Sequence, residues 1–255
     1  MYHLIVYYAS FAVGLLLAVL CSVRAGKKTG LSARDAALNT VMGFLCGVLG
    51  AVLMAQLYNA VLRAVAGEGA FAPSNVSLYG GLLLIPPLMA LPVRKTRAGY
   101  GTVTDACAPG VYVLLGTAKL GCFVYGCCYG VACEWGPVNR FSGERAFPVQ
   151  LLETVLSYCL AAALYLYVTG RRSGRRLVGA AYPVGLILYG GMRFCVQFLR
   201  AHEVAAEADL IGFMDFWQIV SCVAVVYGAV WLAVLAARGA KAARQATDIP
   251  DEKRK

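Results

Sequence analysis

The run YHLIVYYASFAVGLLLAVLCSV, residues 2–23, holds no formally charged side chain, and a helix needs only about 20 such residues to cross the hydrocarbon of a bilayer. The first basic residues, Arg24, Lys27 and Lys28, follow this apolar core instead of preceding it, and no small-residue cleavage site stands out. The run therefore reads as a retained helix and not as a leader. Working outward, comparable apolar runs predict six further spans at about 38–62, 77–93, 106–129, 148–169, 177–199 and 214–236. With 60% hydrophobic and 14% charged residues in 255, the chain has too little polar surface to cover a soluble globule. The expected fold class is all-α: a polytopic membrane protein of about seven transmembrane helices, forming one domain over 1–240 with a charged tail at 241–255.

Charge sets the expected orientation. Seventeen of the 23 basic residues fall on one side, around Arg24–Arg34, Arg94–Arg97, Arg171–Arg176 and the tail from Arg238. The alternate loops hold Arg63, Arg140, Arg145 and Arg200, diluted by acids such as Glu134, Glu144 and Glu203. By the positive-inside rule the amino terminus is expected outside and the carboxyl terminus inside. The net charge of +10 then reports topology and contact with anionic membrane lipid; nucleic acid is not expected as a partner.

Five ionisable residues remain inside or at the edge of the spans: Asp105, Lys119, Glu153, Arg193 and, near an interface, Asp215. A charge at bilayer depth costs several kcal/mol unless it is paired or lines a wet cavity, which makes such residues functional candidates. Alternating topology puts Asp105 near the inner face and brings Lys119, Glu153 and Arg193 together in the outer half. A structural ion pair joining spans five and six is the competing reading.

The segment GTAKLGCFVYGCCYGVAC, residues 116–133, is unusual in so apolar a chain. Gly116, Gly121 and Gly126 advance about 140° per step on a helix, so they share no packing face. They are expected to mark broken backbone around a polar pocket that Lys119 also lines. Cys122, Cys127, Cys128 and Cys133 admit metal ligation, a disulfide near the outer face or simple packing. The adjacent C-C pair lacks the spacing of a zinc knuckle, and neither a metal nor a cofactor is expected.

GCFVYGCCYG (121–130), preceded by DACAP (105–109) and YGGL (79–82) and followed by FPVQLLE (147–153) and YGGMRFCVQFLR (189–200), resembles the prolipoprotein diacylglyceryl transferase family, in particular its divergent cysteine-containing branch. The resemblance covers nearly the whole chain. It implies transfer of the diacylglyceryl group of phosphatidylglycerol to the lipobox cysteine of a preprolipoprotein, at the outer face of the bacterial plasma membrane. It further implies catalytic roles for Arg193, Lys119, Tyr189, Glu153 and Tyr79. Contacts to substrate are implied for Gly80, Gly81, Asp105, Gly121, Cys122, Gly126, Cys127, Gly130, Gln150 and Gln197.

The chain departs from the family pattern at several of these positions. Lys119 stands where the family has arginine, Tyr79 and Phe147 where histidines are frequent, Cys122 and Cys127 where asparagine and glutamate are common, and Gln197 where glutamate is. Loss of both histidines removes the side chains best suited to proton transfer near neutral pH, and Tyr79 is expected to donate a hydrogen bond in that place, against a role as an interfacial anchor. Two other classes stay open: a lipid-binding membrane protein of the same fold without transferase activity, and a thiol-redox protein using Cys127, Cys128 and Cys133.

Overall fold

The structure, a computed structural model, describes residues 2–66, 77–93, 98–170, 177–201 and 213–247. Seven helices account for these residues apart from the connections: α1 (Tyr2–Thr29), α2 (Ala33–Ala66), α3 (Leu78–Val93), α4 (Tyr100–Tyr125), α5 (Val149–Thr169), α6 (Ala181–Gln197) and α7 (Phe216–Thr247). No strand is present among the described residues; three isolated bridges lie in and beside the α4–α5 connection. Five helices are long and apolar enough to cross a membrane, and α3 and α6 are shorter. The chain is a multi-pass membrane protein. Each predicted span has its helix, while α7 continues past residue 240 to Thr247. The basic clusters at 94–97 and 171–176 and the tail beyond 247 lie outside the described residues.

α4 is the central helix. It packs against α1 and α5, while α2 pairs with α3 and α6 with α7. Small residues permit these close approaches: Gly50 of α2 meets Gly80 of α3, and Gly47 meets Gly81, backbone against backbone. A buried cluster between α2 and α7 holds Tyr58, Tyr79, Tyr112, Tyr182 and Tyr189. α3 shows how polar backbone is managed in so apolar a setting. Pro86 has no N–H for the carbonyl of Leu82 four residues earlier, and the Tyr182 hydroxyl donates to that carbonyl at 2.9 Å.

The expectation of broken backbone at 116–126 is corrected: α4 runs through Gly116 and Gly121 without interruption and stops at Gly126, whose φ of 96° closes it in the left-handed conformation. The 140° spacing has another cause. Gly116 fits under the Tyr158 ring of α5, Gly121 fits against Tyr7 and Ser10 of α1, and Gly126 turns the chain. Each glycine serves a different neighbour.

Residues 126–148 form a compact connection at this end of the bundle. Asn139 ties it down: its Nδ2 donates to the Gly126 carbonyl at 2.8 Å, and its Oδ1 accepts from the amides of Phe141 and Ser142.

Candidate active site

Lys119 lies six residues before the end of α4, Glu153 near the start of α5, and Arg193 one turn before the end of α6. Antiparallel packing therefore brings all three to one level. Lys119 Nζ is 2.5 Å from Glu153 Oε2, and Arg193 Nη1 is 3.0 Å from Oε1. The three side chains are buried, with Glu153 only 1% exposed. The short Lys119–Glu153 contact is charge-assisted. Charge, acting strongly where water is excluded, holds the group together.

Arg200 also reaches Glu153, with Nη1 3.7 Å from Oε1. Reading the chain by loops assigned this residue to the solvent side. The available signal was its spacing from Arg193: seven residues are about two helical turns, so a cation at 200 shares the face of one at 193. The chain leaves α6 at Gln197, and the bridge between Gly130 and Arg200 fixes the departing segment against the α4–α5 connection.

Tyr189 stands one turn before Arg193, its ring 5.6 Å from Tyr79 and 5.7 Å from Tyr112, centre to centre. Tyr79 is buried, not an interfacial anchor. Its hydroxyl is 2.8 Å from Ser221 Oγ, and Ser221 Oγ donates to the Trp217 carbonyl at 2.7 Å. With the serine proton so engaged, Tyr79 is the donor to Ser221.

The other sequence-derived positions fall into separate groups. Cys122, Cys127, Gly126, Gly130 and Gln150 gather at the end where α4 stops: Gln150 Nε2 donates to the Cys127 carbonyl at 2.7 Å, and Gly130 fits between the carbonyls of Phe147 and Leu199. Gly121 faces α1, and Gly80 and Gly81 face α2, so these three line helix contacts. Asp105 is fourteen residues from Lys119, about 21 Å along α4, and accepts the amides of Gly179 and Ala181 at 2.8 and 2.9 Å. Gln197 Nε2 donates to Asp215 Oδ2 at 2.5 Å. Asp215, expected near an interface, is a buried cap of α7, exchanging hydrogen bonds with Gln218 in a reciprocal capping box.

All ten cysteines are free thiols, Cys133 among them. The Sγ atoms of Cys122, Cys127 and Cys128 lie within 4.8 Å of one another. Beside them a cavity of about 330 Å³ opens between the start of α1 and the end of α4, lined by His3, Val124, Gly126, Asn139, Phe147 and Gln150.

A family model described as prolipoprotein diacylglyceryl transferase matches residues 2–234. The phosphatidylglycerol–prolipoprotein diacylglyceryl transferase of Solidesulfovibrio magneticus is 31% identical over 163 residues, 62% of this chain and 60% of the relative. That of Geobacter sulfurreducens is 32% identical over 168 residues, 64% of this chain and 62% of the relative. The chain thus matches about three fifths of the length of these two. A namesake from Clostridium tetani is 25% identical over 210 residues, 76% of this chain and 80% of its own.

Proposed function

We propose, on the premise that this chain belongs to the prolipoprotein diacylglyceryl transferase family, that it transfers the diacylglyceryl group of phosphatidylglycerol to the lipobox cysteine of a preprolipoprotein. It does so as a protein of the bacterial plasma membrane, with its amino terminus and the Gly126 end of the bundle at the outer face. The observation that carries this reading is the charge balance at depth. Two buried cations, Lys119 and Arg193, share one buried carboxylate, which leaves a positive surplus in a medium that penalises it. An anionic phosphodiester head group supplies the missing negative charge.

The chemistry follows from that placement. The acceptor sulfur attacks the glyceryl carbon, the carbon–oxygen bond to phosphate breaks, and glycerol phosphate departs with the electron pair. Negative charge grows on the phosphate oxygen, and Arg193, Lys119 and Arg200 stabilise it most where water is excluded. Glu153 orients the cations before the lipid arrives. Lys119 in place of arginine is a mobile point charge, not a bidentate fork. Tyr189 stacks beside this site, and Tyr79, whose proton is directed to Ser221, positions Tyr189 instead of replacing the absent histidine. Gln150 and the cavity beside Gly126 suit an acceptor peptide arriving from outside.

The test is reconstitution of the purified protein with phosphatidylglycerol and a lipobox peptide, read by mass spectrometry for a diacylglyceryl adduct on the peptide cysteine. Adduct from the wild type, and about 100- to 1,000-fold less from Arg193→Ala, is the expected result. Lipid binding with no adduct would replace the transferase reading with the lipid-binding one.

A further inference from the structure

The three thiols at the end of α4 have no role in the steps above. Their meeting is a product of the fold. Cys122 sits on the last turn of α4, and the left-handed turn at Gly126, followed by Cys128 at φ 58°, folds Cys127 and Cys128 back over that turn. A φ of this sign is uncommon for a residue with a side chain, so the backbone is held in a costly shape at the position that brings Cys128 to its neighbours. The Gln150 contact to the Cys127 carbonyl and the Asn139 contact to the Gly126 carbonyl hold this turn from two sides. The absence of a C-x2-C pattern argues against a knuckle along the chain, but the left-handed turn supplies in space what the spacing lacks.

We infer that Cys122, Cys127 and Cys128 form a three-thiolate site for a soft divalent cation of the zinc class, whose fourth position receives the acceptor thiol. Zinc–sulfur bonds of about 2.3 Å place ligand sulfurs roughly 3.8 Å apart in a tetrahedron, a small side-chain adjustment from the 4.8 Å span seen here. No fourth ligand joins the group among the described residues, and three protein ligands with one open position are the pattern of a catalytic rather than a structural site. Lys119 and Arg200 also act electrostatically on Cys128.

The acceptor role rests on the transferase reading. The peptide thiol gives its proton to water at the outer face and binds as thiolate, since coordination deprotonates a thiol outright. That sulfur then forms the bond to the glyceryl carbon while the carbon–oxygen bond to phosphate breaks. The metal keeps its charge and oxidation state, and the thioether product, a much weaker ligand, leaves it. Such a centre would do for the acceptor what the two absent histidines cannot.

The experiment is cobalt(II) titration of the full-length, reduced protein in detergent, with metal content of the untreated wild type measured by mass spectrometry. One metal ion per chain is expected, with a sulfur-to-cobalt charge-transfer band and tetrahedral visible bands. Those bands should vanish in Cys127→Ser and in Cys128→Ser, and persist in Cys159→Ser, whose thiol lies exposed on α5. A lipobox peptide should raise the charge-transfer band without phosphatidylglycerol present, and its serine counterpart should not. No stoichiometric metal in the wild type, or bands unaffected by both loop variants, overturns the site without relying on how any variant folds. Bands that ignore the peptide overturn the acceptor role even where adduct forms. Bands that respond to the peptide, with no adduct from phosphatidylglycerol, uphold the site and count against the transferase reading alone.

Discussion

Asp105 and Glu153 are both carboxylates in a membrane bundle, 0% and 1% exposed, yet their surroundings differ in kind. Asp105 receives two amides from the start of α6, one on each oxygen, where the helix dipole also favours negative charge. These two partners are backbone, and no ligand can displace them without unravelling a helix end. Glu153 meets charged side chains from α4, from α6 and from the segment beyond it. Such side chains can be re-aimed at the cost of a rotamer change. Burial alone therefore does not separate a charge fixed by the fold from one free to take part in the proposed reaction; the nature of the partners does.

Four substitutions test this contrast. Arg193→Ala carries the largest effect: adduct formation in the reconstituted assay is expected to fall by about 100- to 1,000-fold, as for loss of one preorganised charge stabiliser, while the purified yield stays close to wild type. Asp105→Ala should do the reverse, lowering unfolding stability by about 3 kcal/mol through two orphaned amides and leaving turnover per folded molecule unchanged. If turnover fell with Asp105 and stability with Arg193, the contrast would be inverted. A smaller effect, about 1 kcal/mol of stability, is expected for Tyr182→Phe, which strips the Leu82 carbonyl of its donor; thermal unfolding in detergent reads it. The smallest is Lys119→Arg, which restores the fork of the family pattern and should change the apparent affinity for phosphatidylglycerol by only a few-fold, measured by titrating lipid in mixed micelles.

Much of the architecture was legible because apolar run length reports directly on span count, and alternating direction put Lys119, Glu153 and Arg193 at one level before any coordinates. What escaped were the features that depend on where a helix ends. Arg200 looked like loop charge because α6 stops at Gln197, although 189, 193, 197 and 200 step along one face. The glycines of α4 suggested a break because three different packing partners, on α5, on α1 and in the following turn, leave no single stripe to recognise. The cysteine trio was hidden for a related reason: its convergence needs one left-handed residue at 126 and another at 128, and no periodic pattern encodes that.

α6 holds 17 residues, a rise of about 25 Å against a hydrocarbon core of about 30 Å. Thinning around it is one way a membrane accommodates so short an element. On the proposed function, a bilayer thinned beside α6 would leave a head group less hydrocarbon to cross before it meets Arg193. Under that proposal the bilayer itself is part of the loading path, and the rate at which lipid enters should rise in thinner membranes and fall in thicker ones.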